Sequence, residues 1–327
     1  MTRAATGLPF DDIRNLLAGL PQADEDARAA ARAQTRDLAA PEASLGRLAE
    51  IAEWMAAWAA SPKPAVTRPL VAIFAATHGL AAADPDAGPA DATHRLVELY
   101  AAGGAAVNQI ALQTDAGLKV FDLALDMPTP DIRVDAALSE AACAATMAFG
   151  MEAIAGGTDL LCIGAAGAGN RTVAAALTHA LFDGTSQDWT DGSAWGAEAV
   201  TAALAQHEGH LADPLEALRR VGGREFAAIA GAILAARYQR IPVLLDGIVA
   251  CAAAAVLHRL APGALDHCLA AHASGEPAHA RLLEAIGKTP LLETGIALEE
   301  GAGAALAIGL VKSALAVHGG MATQAQL

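Results

Sequence analysis

The stretch Leu160-Leu-Cys-Ile-Gly-Ala-Ala-Gly-Ala-Gly-Asn-Arg-Thr172 decides the fold class. Its first four residues, Leu160–Ile163, predict a short buried strand, and the glycines that follow predict a turn into a helix that runs to Ala180. A strand that leads through glycines into a helix is the beginning of a βα unit. The stretch therefore favours an α/β protein built on a parallel sheet.

The same alternation of strand and helix continues on both sides of this stretch. Further apolar runs predict strands at Leu70–Phe74, Leu118–Leu123, Val243–Leu245 and Cys268–Ala271. Helical patterns separate them, at Thr93–Thr114, Ala136–Ala155 and Ile248–Leu260, and helices also begin and end the chain, at Asp11–Ala18, Asp24–Leu38, Leu45–Ala60 and Ala304–Ala316. The pair Gly103-Gly104 interrupts the helix at Thr93–Thr114, which we interpret as close backbone packing.

Composition excludes several classes of function. The chain has 327 residues, of which 54% are hydrophobic, and 36 acidic against 21 basic side chains give a net charge of −15. An excess of acidic residues argues against nucleic-acid binding, which needs clustered Lys and Arg. No run without Asp, Glu, Lys or Arg exceeds sixteen residues, which is too short to span a membrane, and the N-terminus does not resemble a secretory signal. The four cysteines stand apart in apolar surroundings, which predicts buried free thiols in a reducing, cytoplasmic compartment.

Polar residues and glycines follow the predicted strands at their carboxyl ends, where ligands bind in parallel sheets. These segments are Thr77-His78-Gly79, Gly167-Ala-Gly169-Asn170, Asp246-Gly247, and the positions of His272 and Ser274. Because Gly164–Thr172 opens a helix, it suits a small anion at the helix N-terminus. It lacks the Lys-Ser/Thr of a P-loop and the third glycine of a dinucleotide fingerprint, and tight strand–helix packing is the alternative explanation.

Other candidate groups each have a second interpretation. His78 either faces a ligand or caps a loop. His272, Glu276 and His279 could indicate a metal, but no second cluster joins them, so we expect neither metal nor cofactor. Glu299-Glu300 stand in a glycine loop, and either could be a general base with a raised pKa, although solvated loop acids are the commoner case.

Seven motifs, in order from end to end, resemble the nicotinate-nucleotide:dimethylbenzimidazole phosphoribosyltransferases of cobalamin biosynthesis. Pro41-Glu-Ala-Ser-Leu-Gly-Arg-Leu48 is similar to K-P-P-G-S-L-G-R-L, Phe74-Ala-Ala-Thr-His-Gly79 to F-A-G-D/N-H-G, Gly103-Gly-Ala-Ala-Val-Asn108 to G-G-A-A-I-N, Gly164–Thr172 to G-E-M-G-I-G-N-T-T, Leu245-Asp-Gly247 to L/I-D-G, His272–His279 to H-x-S-x-E-P-G-H, and Glu299–Ala304 to G-E-G-T-G-A. The runs Gly117–Leu123 and Ala145–Gly164 look like the alphaproteobacterial branch.

The resemblance implies a fold, a reaction and a set of site residues. The implied fold is a Rossmann-like parallel-sheet domain, residues 66–303, with a smaller helical domain from residues 1–65 and 304–327, in a homodimer. The implied reaction joins nicotinate mononucleotide to a benzimidazole-type base, giving α-ribazole 5′-phosphate and nicotinate, with Glu300 as catalytic base. Candidate substrate-binding residues are His78, Gly79, Gly167, Gly169, Asn170, Arg171, Asp246, Ser274, Gly301 and Gly303. Glu299 occupies a glycine position of the motif and is expected to tolerate change.

The chain departs from these motifs mainly where they form the site. Ala165 replaces the glutamate of G-E-M-G, Asp86–Ala90 lacks the aromatic residue that lines the base pocket, and the phosphate loop expected between Trp189 and His207 is short and has no lysine. Arg171, which replaces a threonine, is the candidate substitute for that lysine. The departures leave a second hypothesis open, in which the chain is a weak or inactive relative that binds a nucleotide or base, or pairs with an active paralogue.

Overall fold

The computed structural model describes residues 7–327, and a five-stranded parallel sheet lies at its centre. The strands are β1 (Pro69–Ala75), β2 (Gly117–Asp122), β3 (Leu160–Ala166), β4 (Val243–Leu245) and β5 (Cys268–Ala270), in the order β2-β1-β3-β4-β5. A separate parallel pair joins β6 (His272–Ala273) to β7 (Leu292–Glu293). The predicted α/β fold with a parallel sheet is confirmed.

Strand β1 shows why the apolar runs become buried strands. Leu70, Ala72 and Phe74 point into the hydrophobic core on one face of the sheet. Val71 and Ile73, between them, point into the core on the other face. Helices cover both faces, so every position along the strand is buried and the sequence reads as a continuous apolar run.

Fourteen helices surround the sheet in residues 7–327. They are α1 (Pro9–Ala18), α2 (Glu25–Asp37), α3 (Arg47–Ala59), α4 (Ala92–Ala101), α5 (Ala106–Gln113), α6 (Glu140–Met151), α7 (Asn170–Leu181), α8 (Ser186–Trp189), α9 (Ala194–Gln206), α10 (Pro214–Val221), α11 (Arg224–Tyr238), α12 (Gly247–Leu260), α13 (Pro277–Ala285) and α14 (Ala302–Gly320). The region between β3 and β4 is almost entirely helical, and it holds one wall of the cleft described below.

The interpretation of Gly103-Gly104 as close packing is wrong. These glycines separate α4 from α5 as a turn, in which Gly103 has a φ of +75° and open space around it, and a Cβ at Gly104 would meet Leu99 alone. Close backbone packing occurs instead between α6 and α11. A Cβ at Gly150 or at Gly231 would lie 1.9 Å from a backbone oxygen of the facing helix.

The helices from the two ends of the chain pack together. Helix α14 contacts α2 and α3, and it also lies on the sheet, so these helices share one core with a sheet face. Helix α14 is long and apolar enough to cross a bilayer by length and composition, but more than half of its apolar window is buried inside the protein. Because one core joins these helices to the sheet, the domain boundaries at residues 65 and 303 stay a prediction.

A buried arginine ties the N-terminal helices to α11. Arg237 is 1% exposed. Its guanidinium lies 4.2 Å from the ring centre of Trp58 in α3, and its Nε–H donates to the Pro21 carbonyl oxygen at 2.6 Å. The planar cation thus stacks on an aromatic face and satisfies a backbone acceptor at the same time.

The four cysteines are free and buried, as predicted: Cys143, Cys162, Cys251 and Cys268. Burial raises the pKa of Cys143 to about 12, and it raises the pKa values of the other three as well. Because the thiolate is the reactive form, these thiols are inert at neutral pH.

Candidate functional site

A cleft of about 450 Å³ lies at the carboxyl ends of the strands. Strands β1 and β3 are neighbours there, and the chain leaves them toward opposite sides of the sheet, which is the position where open α/β sheets bind ligands. Its lining consists of Asp84, Asp86, Ala87, Gly167, Ala168, Gly169, Asn170, Arg171, Thr172, Trp189, Thr190, Asp191, Ser193, Gly196, Ile248 and Glu276. The short stretch after Trp189, where the motifs have their phosphate loop, does form one wall.

The N-terminus of α7 opens directly into this cleft. Gly169 precedes the helix with a φ of +78°, and no side chain caps the first turn. Position 167 requires a glycine because the backbone of a neighbouring segment lies close to it: a Cβ there would lie 2.8 Å from the Ala76 carbonyl oxygen. The turn is held from outside by Thr93, whose hydroxyl accepts the Ala168 N–H at 3.0 Å. Uncapped N–H groups and the positive end of the helix dipole suit an anion at this end of the cleft.

The charged side chains that line the cleft are mostly negative. Asp84, Asp86, Asp191 and Glu276 contribute four carboxylates. Arg171, in the first turn of α7, is the one cationic side chain among the lining residues that the structure describes. Its guanidinium forms an ion pair with Glu276.

Glu300 lies beside the N-terminus of another helix, α5. The Val107 N–H donates to Glu300 Oε1 at 3.0 Å, and the Tyr100 hydroxyl donates to the same carboxylate. The side chain is 6% exposed. Burial raises the pKa of Glu300, although both hydrogen bonds oppose the rise. Burial and the nearby Glu300 raise the pKa of Tyr100 in turn, so the phenol remains protonated.

Glu299 and Asp246 cap two further helices behind the cleft. Glu299 accepts the N–H groups of Ile248 and Val249 at 3.3 and 3.1 Å, at the start of α12. Asp246 accepts the N–H groups of Gly301 and Ala304 at 2.9 and 2.6 Å, at the start of α14. The carboxylates of Asp246, Glu299 and Glu300 therefore each accept N–H groups at the N-terminus of a different helix.

The interpretation of the glutamates as solvated loop acids is wrong, because Glu299 and Glu300 are each only 6% exposed. Burial raises the pKa of Glu299 to about 7, and the nearby Asp246 raises it too, while the N–H groups it accepts and Arg171 lower it. Glu299 also has a φ of +62°, in the left-handed region that favours glycine. The chain thus holds a carboxylate where both burial and backbone conformation disfavour one.

A further group of buried side chains lies at β6 and after it: His272, Ser274 and His279. His272 Nε2 lies 3.2 Å from Asp246 Oδ1, and its ring fills the space beside Gly303, where a Cβ would come within 2.1 Å of it. Ser274 contacts His279 through both its hydroxyl and its N–H, at 2.9 and 3.3 Å from Nδ1. Burial, reinforced by His272, lowers the pKa of His279 to about 4. Among residues 7–327, no group of three or more His, Cys, Asp or Glu side chains could hold a metal ion.

The side chain of His78 does not line the cleft and makes no capping hydrogen bond, and whether it faces a ligand stays a prediction. Its ring is buried, with Nε2 2.5 Å from Glu225 Oε1 at the start of α11. The other oxygen of Glu225 has no partner in the described chain. Gly79 packs against Thr129, whose carbonyl oxygen accepts its N–H at 2.8 Å. The Glu225 carboxylate lies next to Gly167, since a Cβ at position 167 would lie 3.5 Å from Glu225 Oε1.

The predicted site residues thus divide into two groups. Gly167, Gly169, Asn170 and Arg171 line the cleft. The other predicted residues do not line the cleft, and whether any of these contacts substrate stays a prediction: His78, Gly79, Asp246, Ser274, Glu300, Gly301 and Gly303. Sequence reasoning missed Tyr100 and Glu225, whose partners are distant in the chain, and it considered Glu276 only as a metal ligand.

Comparison with known proteins identifies the family of this chain. A family model described as "Phosphoribosyltransferase" matches residues 20–327, nearly the whole chain. The chain belongs to this family. Its curated relatives include the nicotinate-nucleotide–dimethylbenzimidazole phosphoribosyltransferases of Sinorhizobium fredii, 59% identical over 332 residues, and Rhizobium meliloti, 58% identical over 332 residues. In both comparisons the matched region covers 99% of this chain and 98% of the relative.

The fold of this phosphoribosyltransferase is similar to solved structures of the same family. The crystal structure of nicotinate-nucleotide–dimethylbenzimidazole phosphoribosyltransferase from Thermus thermophilus matches with a TM-score of 0.86 and 36% sequence identity. The match covers 93% of this chain and 98% of the solved chain. The recognised family and its alphaproteobacterial branch are therefore confirmed.

Proposed function

We propose that this phosphoribosyltransferase transfers the phosphoribosyl group of nicotinate mononucleotide to a benzimidazole-type base. The proposal rests on the full-length relatives, whose names state this reaction. The observation that carries it is Glu300, a buried carboxylate with a raised pKa in the G-E-G-T-G-A position. A cleft with an uncapped helix N-terminus supplies a place for the phosphate of the nucleotide.

The chemistry needs one proton acceptor and no cofactor. A nitrogen of the base attacks C1′ of the ribose, and the bond from C1′ to nicotinate breaks with its electron pair, which neutralises the pyridinium. The new bond leaves the attached benzimidazole positively charged until its N–H proton departs. Glu300 accepts that proton, and its raised pKa makes it a better acceptor than a solvated carboxylate. Tyr100 and the Val107 N–H hold the carboxylate in one orientation.

The variant Glu300→Gln tests this role, because it keeps the shape of the side chain and removes the proton acceptor. We expect turnover to fall by about 10² to 10⁴, the usual contribution of a positioned general base. Release of nicotinate and formation of α-ribazole phosphate would be measured by chromatography, with several bases offered. Calorimetry should give the same affinity of the variant for nicotinate mononucleotide. Wild-type turnover in the variant would overturn the assignment.

The same assay decides the alternative. A wild-type protein that folds but releases no nicotinate with any base would be a binding or regulatory relative, and sedimentation of its mixture with an active paralogue would then test pairing. We further infer that the protein acts in the cytoplasm as a homodimer, since its thiols are free and the family resemblance implies a dimer. Sedimentation of the purified chain tests the dimer.

A further inference from the structure

We propose that Arg171 holds the 5′-phosphate of the nucleotide and that Glu276 is a built-in competitor for its guanidinium, so that substrate binds by exchanging one anion for another. The inference rests on the proposed function, because the nucleotide supplies the phosphate. It concerns the affinity for that phosphate and makes no use of the transfer step.

Arg171 is placed where a phosphate contact is needed. It belongs to the first turn of α7, beside N–H groups that no side chain caps. Its side chain is 44% exposed and lines the cleft. A guanidinium can bind two phosphate oxygens at once and carries a full positive charge, whereas a helix N-terminus offers only a partial charge. The stretch after Trp189 has no lysine to share this role.

Glu276 can release Arg171 and still keep a hydrogen-bond partner and access to water. One of its oxygens pairs with the guanidinium, and the other accepts the Ser274 hydroxyl at 2.7 Å. Its side chain is 19% exposed, so water can reach the oxygen that Arg171 would leave. The carboxylate precedes α13 but caps no N–H group of that helix. Exchange therefore breaks one ion pair and leaves no buried charge without a partner.

The other charged residues that line the cleft are all acidic, so the competition for Arg171 affects how tightly a phosphate binds. Asp84, Asp86 and Asp191 add three carboxylates to the lining, and each repels an incoming phosphate. A phosphate monoester carries a charge of about −1.5 to −2 at pH 7, more than the single charge of Glu276, so it can win the guanidinium. The consequence is a cleft that binds the nucleotide weakly, and that binds it better once Glu276 is neutralised.

Calorimetry on four proteins tests the exchange: the wild type, Arg171→Ala, Glu276→Gln and the control Asp86→Asn. Each is titrated with nicotinate mononucleotide and with nicotinate riboside, which lacks only the phosphate. Arg171→Ala should weaken nucleotide binding by about 10-fold or more, the size of one charge-assisted contact, and leave riboside binding unchanged. Glu276→Gln should tighten nucleotide binding by about 10-fold. Asp86→Asn removes a lining charge without freeing Arg171 and should tighten it only about 2-fold.

The inference would be overturned if Glu276→Gln bound the nucleotide no better than Asp86→Asn does. It would also be overturned if Arg171→Ala lost affinity for the riboside and for the nucleotide equally. A third contrary result would be micromolar affinity of the wild type for the nucleotide that Arg171→Ala retains. Arg171 is exposed, so its variant remains informative if Glu276→Gln does not fold. Failure of the proposed function would look different. A wild type without turnover that still shows the phosphate-dependent pattern would sink the reaction and keep the exchange.

Discussion

Replacing Glu299 by glutamine should stabilise the protein, and the gain should grow with pH. Glutamine has nearly the shape of a protonated glutamate and can accept one of the two N–H groups of Ile248 and Val249. It never ionises, so it avoids the cost of a buried carboxylate. The expectation that residue 299 tolerates change thus becomes a specific prediction about stability.

The magnitude follows from the pKa of Glu299, which rises from 4.5 to about 7 on folding. Between these values the native state binds more protons than the unfolded chain, so the free energy of unfolding falls as pH rises. The stabilisation is complete below pH 4.5 and is lost by about pH 7. A shift of this size corresponds to about 3 kcal/mol. Relative to wild type, Glu299→Gln should gain about 1 kcal/mol at about pH 5.5 and about 3 kcal/mol at about pH 8.

Urea unfolding of both proteins at four pH values between about 5.5 and about 8 measures this difference. Subtracting one curve from the other removes every group that titrates equally in both proteins. Glu293→Gln, which changes an exposed carboxylate nearby, is the matched control and should stay within about 0.5 kcal/mol of wild type. A difference between Glu299→Gln and wild type that is the same at all four pH values would refute the reasoning.

Two further predictions concern the framework, and both are measured as urea midpoints. Gly231→Ala should destabilise the protein by more than about 3 kcal/mol, because its Cβ would lie 1.9 Å from a backbone oxygen of α6. The control Gly309→Ala lies in open space on α14 and should stabilise the protein by about 0.5–1 kcal/mol. Arg237→Lys should cost about 2 kcal/mol, because an ammonium replaces neither the plane stacked on Trp58 nor the Nε–H bond to Pro21. Equal stabilities of the two alanine variants, or an unchanged midpoint for Arg237→Lys, would contradict these accounts.

The sequence predicts the sheet well because its strands are buried on both faces. Val243–Leu245 is predicted with its observed bounds, and Leu70–Phe74 lies within the observed β1. The carboxyl-end pattern also locates the cleft, since Gly167 to Arg171 follow β3 directly. Local apolarity and glycine punctuation are properties of neighbouring residues, so they can be read from the chain itself.

The partners of the buried polar groups could not be predicted in this way. His78 and Glu225 are separated by 147 positions, and Glu300 and Val107 by 193. Nothing in either segment indicates the other, because their contact depends on how the helices pack on the sheet. The importance of Glu300 came from its resemblance to a known motif, while its burial came from the structure.

One departure from the motifs becomes intelligible only in three dimensions. The motifs place a glutamate at position 165 and a glycine at position 299, and this chain has Ala165 and Glu299. The two residues are in contact, since the Ala165 N–H donates to the Glu299 carbonyl oxygen at 2.7 Å. A carboxylate has therefore been lost from one side of this hydrogen bond and gained on the other, at a backbone conformation that favours glycine. The effect of Glu299→Gln on turnover, compared with its effect on stability, therefore separates a carboxylate that serves the reaction from one that only caps α12.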